Sequence, residues 1–501
     1  MDTEETLITY AKNLKSQTFN MTISVPVDTN VNIKKVMGVK TYLYDTRVES
    51  GSGKAVVNGK VGIKVLYIDT DNMTSTIVDS QTFSETLLDA GITANSKVCL
   101  TDYSISSDVL STDGTLKVGL DVNLTSILYL NVGMTNQTNQ LENMIVKKSE
   151  IETYEINANV DTNFEYSVNL ETKDNVSKIL SYDAHFTPTN VTANNEYAVV
   201  EGKMFSTLLY ETMKDDETTM QELTDVFAVK QELNLEHLDR DCLLDLHFMV
   251  DNSKENIKVE SEEENNVVTV THNIAVSGVS MKPLKIDVVD DMYSTDNEVE
   301  LTTTKREYSH VINRECVEEQ VSTEVSLDGD EPAIDEVLCN VHISPEVTNY
   351  YLKEGELFFE GVVTSHLIYL DENKEKTAKK LEIPFVVNTH IAMEKLSCVH
   401  AQVSVTDCKV KAKRGTKLEI SYNLCFEVCY YVSTTRTMVD NVTIGKPVDF
   451  GGYDYQIFIA KPNETMWELS KRIKVSPDEL TRTNKNLPLV MEGGEKVIIK
   501  R

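Results

Sequence analysis

A glycine followed eight residues later by a tyrosine that ends an apolar run occurs three times in this 501-residue chain: Gly59 and Tyr67, Gly202 and Tyr210, Gly361 and Tyr369. A motif that returns with its surroundings means one structural unit built three times, so the fold of one copy constrains all of them. Each glycine follows a strand-like run (Ala55-Val56-Val57, Ala198-Val199-Val200, Leu357-Phe358-Phe359), and each tyrosine precedes a phenylalanine by 16 or 17 residues, at Phe83, Phe227 and Phe385. About 26 residues before each glycine an apolar cluster begins: Ile33-Lys34-Lys35-Val36-Met37, Val176-Ser177-Lys178-Ile179-Leu180 and Ile334-Asp335-Glu336-Val337-Leu338. Its i, i+3, i+4 spacing predicts one helical turn. Alternating runs at 21–25, 166–170 and 323–327 lead each copy, and Gly114-Thr115, Asn265-Asn266 and Gly415-Thr416 mark the turn into its last strand.

Val, Ile, Thr and Tyr alternating with period two, with turns every 8 to 12 residues, predict antiparallel β-domains of the sandwich type. Each copy is long enough to close its own core rather than stack as a solenoid repeat. The expected division is 1–150, 151–300 (the degenerate copy), 301–447 and a separate unit at 453–501, the three β-domains forming an elongated acidic scaffold.

The last unit reads as strand, helix, helix, strand. Tyr455-Gln456-Ile457-Phe458-Ile459 is a short β-rich run, and Thr465 with Glu468 has the spacing of a capping box. Ser476-Pro477-Asp478-Glu479 repeats the signal with Pro at the first helical position. Glu492-Gly493-Gly494 turns the chain into a closing strand at Lys496-Val497-Ile498-Ile499.

Thr465, Trp467, Leu469, Val475, Leu480, Asn484, Lys496 and Ile498 fall on the pattern of a LysM domain, which this unit resembles. It departs at Asn463-Glu464, where the family has Gly-Asp, and at Met466, where it has Leu. The three preceding copies resemble the SPOCS domain of endospore-forming bacteria. Together the two are similar to the SipL-type spore-coat morphogenetic proteins, counterparts of SpoVID. The resemblance implies a non-enzymatic spore-coat scaffold, held in the mother-cell cytoplasm and recruited to the forespore surface. It also implies a SpoIVA-type coat-basement ATPase as partner, beside other spore-coat proteins. The expected docking surface is the one relatives use for N-acetylglucosamine chains: Asn463, Glu464, Thr465, Met466 and Trp467, facing Asn486, Leu487, Pro488 and Leu489. Its apolar side chains suit a protein better than a hydroxyl-rich chain, with the sole tryptophan either an exposed hot spot or a side chain packed against the small sheet. The alternative reading is a peptidoglycan-binding module of a cell-wall or cortex protein.

Charge and missing motifs bound the rest. Residues 453–501 hold 9 basic and 7 acidic residues, leaving 39 basic and 73 acidic, a net −34, on the body. Such a body repels phosphate backbones and anionic headgroups, so neither nucleic acid nor membrane is an expected partner. The first residues lack a basic n-region and apolar h-region, and no apolar run reaches spanning length, so a cytosolic chain is expected. The eight cysteines form no Cys-x-x-Cys pair and no zinc spacing, and are read as buried reduced thiols. Cys425 and Cys429, four apart on a strand, stand about 13 Å from each other and cannot bridge. Gly51-Ser52-Gly53-Lys54 lacks the glycine and hydroxyl of a phosphate loop and reads as a hairpin turn. The nine histidines are scattered, and no catalytic residue, metal site or cofactor is expected.

Overall fold

The computed structural model describes residues 5–26, 32–112, 115–135, 144–214, 217–261, 266–327, 332–394, 398–413, 416–452 and 454–500. Gly114, Asn265, Gly415, Tyr453 and Arg501 fall outside that set. Alternation becomes strand almost throughout. The first copy supplies β1 (Glu5–Pro26), β2 (Ile33–Ser50), β3 (Lys54–Asp69), β4 (Thr74–Leu88), β5 (Lys97–Thr112) and β6 (Thr115–Thr135). The second supplies β7 (Met144–Thr172), β8 (Val176–Ala193), β9 (Tyr197–Lys214), β10 (Glu217–Asn234), β11 (Leu243–Ser261) and β12 (Asn266–Ser294). The third supplies β13 (Asn297–Ser326), β14 (Ile334–Lys353), β15 (Glu356–Asp371), β16 (Lys376–Ala392), β17 (Cys398–Ala412) and β18 (Lys417–Pro447).

One topology is used three times. The sheets β1-β6-β5, β7-β12-β11 and β13-β18-β17 correspond, as do β2-β3-β4, β8-β9-β10 and β14-β15-β16, and every pairing is antiparallel. In each copy the two sheets close over one apolar cluster. In the first, Val57, Val61, Ile63 and Val65 of β3 meet Val118, Leu120, Val122 and Leu124 of β6. Equivalent clusters fill the second and third copies. The repeated glycine is explained by register. Gly59 lies directly across from Phe83 and Gly361 directly across from Phe385, so each ring covers a backbone that has no Cβ. A Cβ on Gly59 would stand 2.8 Å from the Phe83 ring. In the second copy Phe227 pairs with Met204 instead, and Phe186 takes the place over Gly202.

The expected helical turns do not form. All three apolar clusters open strands, and each carries two β-bulges: between Ile33 and Lys35 and between Val36 and Gly38, between Val176 and Lys178 and between Ile179 and Ser181, between Ile334 and Glu336 and between Val337 and Cys339. A bulge inserts one residue and resets which face the next side chain takes, so a doubly bulged strand mimics a three-to-four residue period.

The copies are not strung out as an elongated scaffold. Leu66, Leu209 and Ile368, each the residue before its repeat tyrosine, are buried in one cluster with Met37, Leu180 and Val341. A second shared cluster joins Ile127 and Tyr129 to Val279 and Met281 and to Cys398, Cys429 and Tyr431. A third joins Ile8, Ile151, Ile286, Tyr308 and Met438. Each shared cluster draws on all three copies, so the copies pack about a common centre.

The C-terminal unit is β19 (Tyr455–Ile459), α1 (Met466–Ile473), α2 (Pro477–Thr483) and β20 (Lys496–Lys500), with β19 and β20 antiparallel. The caps stand where the sequence puts them. Thr465 and Glu468 make both halves of the capping box, and Ser476 accepts from Glu479 N–H behind Pro477. Gly493 has a φ of 103° and packs on Pro462, a position that needs glycine twice over. Leu469, Ile473, Val475, Leu480, Met491, Val497 and Ile499 form the unit's own core. Among the described residues no helix is long and apolar enough to cross a membrane.

Candidate functional site

The two loops singled out from sequence lie side by side. Met466 N–H donates to Leu489 C=O at 2.9 Å, Met491 N–H to Glu464 C=O at 2.8 Å and Asn463 N–H to Met491 C=O at 2.9 Å, with a bridge between Thr465 and Val490. Several of the named side chains are spent on building that junction. Glu464 is buried and takes both oxygens to Arg472, at 2.6 and 2.8 Å, which holds its carboxyl below the usual range. Thr465 caps α1, and Leu487 packs on the unit's core. Met466 is half-buried there. What faces outward is Asn463, Asn486, Pro488 and Leu489, the last 81% exposed, together with Val490.

Trp467 is half-buried and faces the body. Its ring stands edge-on to Tyr293 of β12 at 5.2 Å, and its indole N–H donates to Asp291 at 2.7 Å. Lys471 reaches the other Asp291 oxygen at 2.5 Å, Tyr293 O–H donates to Val475 C=O at 2.7 Å, and Lys474 pairs with Glu298 at 3.4 Å. The slight basic excess of this unit thus meets the acidic body within the same chain. A further outward surface was missed in the sequence. Tyr455, Ile457, Ile459 and Ile498 cover the open face of the small sheet, Ile457 at 65% exposure. The sequence of β19 announces it, since Tyr455, Ile457 and Ile459 share one face while Phe458 on the other packs on the unit's core.

The centre of the three copies is polar where the shared clusters stop. Asp245 of β11, in the second copy, is fully buried and accepts from Tyr129 O–H of the first copy at 2.5 Å, and from Tyr431 O–H and Arg314 (3.2 Å) of the third, so all three copies meet at this carboxylate. Burial by itself would raise the Asp245 carboxyl; at acid pH the protonated His247 and His400, with Arg314 and the Tyr129 hydroxyl, outweigh it and hold it well below the usual range. His247, held down at about 3 by burial, and His400, lowered by the same cause, are neutral at pH 7. The charge that keeps Asp245 ionised is therefore Arg314, helped by the tyrosine hydroxyls. Donor atoms of Asp245, His400 and Cys429 lie within 4.8 Å of one another, the spacing a metal ion would need. The guanidinium already neutralises this carboxylate, and the cluster reads as a filled polar lock.

Beside the lock a cavity of about 750 Å³ opens between the copies, lined by Lys40, Asp102, Asp183, His185, His342 and His366 among others. Lys40 pairs with Asp183 across the first and second copies. Desolvation pushes the Asp102 carboxyl up to about 7 and holds His185 and His366 down at about 4. His342 and Asn252 also line this space, and among the described residues their buried Nε2 and Oδ1 atoms have no hydrogen-bond partner. Histidines scattered along the sequence thus meet in space, and nothing in their sequence spacing signals it. The cysteines follow expectation in part, since Cys316 is exposed and Cys408 half-buried while the other six are buried. Comparison of the chain with protein-family profiles, curated proteins and solved structures returns no match.

Proposed function

We propose that this chain is a non-enzymatic morphogenetic scaffold of the spore envelope, of the SipL type. In this reading the three β-sandwich copies form one scaffold, and the βααβ unit, as a LysM domain, docks a SpoIVA-type coat-basement ATPase. The chain is then recruited from the mother-cell cytoplasm to the forespore surface, where other coat proteins join it. The supporting observation is the outward loop pair, which exposes Leu489 and Val490 together with Asn463 and Asn486. Exposed apolar side chains suit a desolvated protein anchor better than a sugar chain. The net charge of −34 on the remainder gives nucleic acid and anionic headgroups no purchase.

The test is capture of the ATPase by the full chain carrying Leu489→Asp. Binding should fall on the order of 30-fold, about 2 kcal/mol, with melting unchanged because the side chain is 81% exposed. Undiminished capture would remove this loop from the interface. Micromolar binding of N-acetylglucosamine oligomers would favour the peptidoglycan reading instead.

A further inference from the structure

Cys316 on β13 and Cys425 on β18 have their sulfur atoms 3.0 Å apart. The register explains the approach. Cys316 lies opposite Glu427 and Cys425 opposite Glu318, so the two cysteines are diagonal neighbours on adjacent antiparallel strands. Their sulfurs are about 1 Å beyond the covalent distance of roughly 2.0 Å, and because diagonal neighbours stand at the upper edge of the Cα spacing a disulfide spans, closure takes side-chain rotation together with a slight drawing-in of the two strands. The pair is also asymmetric in access: Cys316, on β13, is exposed, and Cys425, on β18, is buried. A small oxidant therefore meets one sulfur first and finds the other in reach.

We propose that Cys316 and Cys425 are a reversible oxidation site that closes to a cross-strand disulfide on exposure to a small-molecule disulfide such as oxidised glutathione. The Cys316 thiolate attacks one glutathione sulfur, forming a mixed disulfide and releasing one glutathione thiolate. The Cys425 sulfur, giving up its proton, then attacks the Cys316 sulfur and expels the second glutathione. Two protein thiols lose two electrons and two protons, and one glutathione disulfide becomes two thiols. The hydrogen bond from Cys425 lowers the Cys316 thiol, which favours it as attacking group, and the same contact holds Cys425 protonated until Cys316 is capped.

The consequence reaches the polar centre. Arg314 lies two residues from Cys316 and Glu427 two from Cys425, and these pair with each other at 3.1 Å while Arg314 also holds Asp245. Oxidation therefore clamps the strand pair that presents both groups to the junction of the three copies.

The experiment treats the full chain with oxidised glutathione, blocks free thiols and maps peptides without reduction. The expected product joins the Cys316 and Cys425 peptides, reverts with dithiothreitol and melts at a higher temperature than the reduced chain. Cys425→Ser should stop at a stable glutathione adduct on Cys316, and Cys316→Ser, a change at an exposed site, should show neither product. The proposal is overturned if Cys316 of the wild-type chain stays alkylatable, stays as the glutathione adduct, or pairs with any cysteine other than Cys425.

Discussion

Asp245 is the residue on which the assembly of the three copies turns, because its oxygens are shared by a tyrosine from the first copy and by a tyrosine and an arginine from the third. Truncating one partner of a buried pair leaves the other charge uncompensated. Asp245→Ala is expected to cost about 3–5 kcal/mol in denaturant unfolding, and Asp245→Asn less, since the amide still accepts the hydroxyls. The buried histidines add a pH dependence with a defined sign. His185, His272 and His366 are held down at about 4, burial first, against roughly 6.5 unfolded. Their neutral forms belong to the folded state, so the stability is present above pH 6.5 and is lost as pH falls toward 4. His272→Phe, which keeps a ring against Tyr182, should flatten that loss when unfolding is followed across the window. Asp102 works the other way. Its pKa of about 7 lies above the unfolded value, so its contribution is full at low pH and lost as pH rises through 7; Asp102→Asn should steepen the acid loss.

Among the elements, the repeat glycine and the doubly bulged strand carry the clearest lessons. Gly361 has the Phe385 ring on one side and the Glu346 carbonyl on the other, so a side chain there forces strands β14, β15 and β16 apart. Gly361→Ala should cost about 1–3 kcal/mol by overpacking, read from the denaturation midpoint. The same alanine paired with Phe385→Leu, which withdraws the ring, should recover part of it. The bulges show why a period counted on letters misleads. Ile33, Val36 and Met37 repeat like a helix because the strand slips its register twice, and no single-chain pattern distinguishes that slip from a turn of helix.

For the whole molecule, the docking of the C-terminal unit on the second copy is the arrangement most open to test. Trp467 is the only tryptophan, so its emission reports whether the Asp291 and Tyr293 contacts are made. Asp291→Ala should red-shift and quench that emission, and should speed proteolysis between β18 and β19, while the unit's own melting holds because its core is separate. Emission identical to wild type would mean that the contact does not persist in solution.

Much of this architecture was written in the sequence. The threefold offset from glycine to tyrosine and the period-two alternation gave repeated antiparallel sheets, and the paired caps at Thr465 and Ser476 gave both short helices, since all are local signals of backbone geometry. That the loops at Asn463 and Leu489 lie together followed from the resemblance of this small unit to a LysM domain, not from a local signal. The common centre, the Asp245 lock, the cysteine pair and the inward turn of Trp467 were decided only by tertiary structure. Each depends on contact between residues some 70 to 190 positions apart, such as Tyr129, Asp245 and Tyr431 or Asp291 and Trp467. Such contacts are selected by burial and charge compensation between whole sheets, and leave no period along the chain.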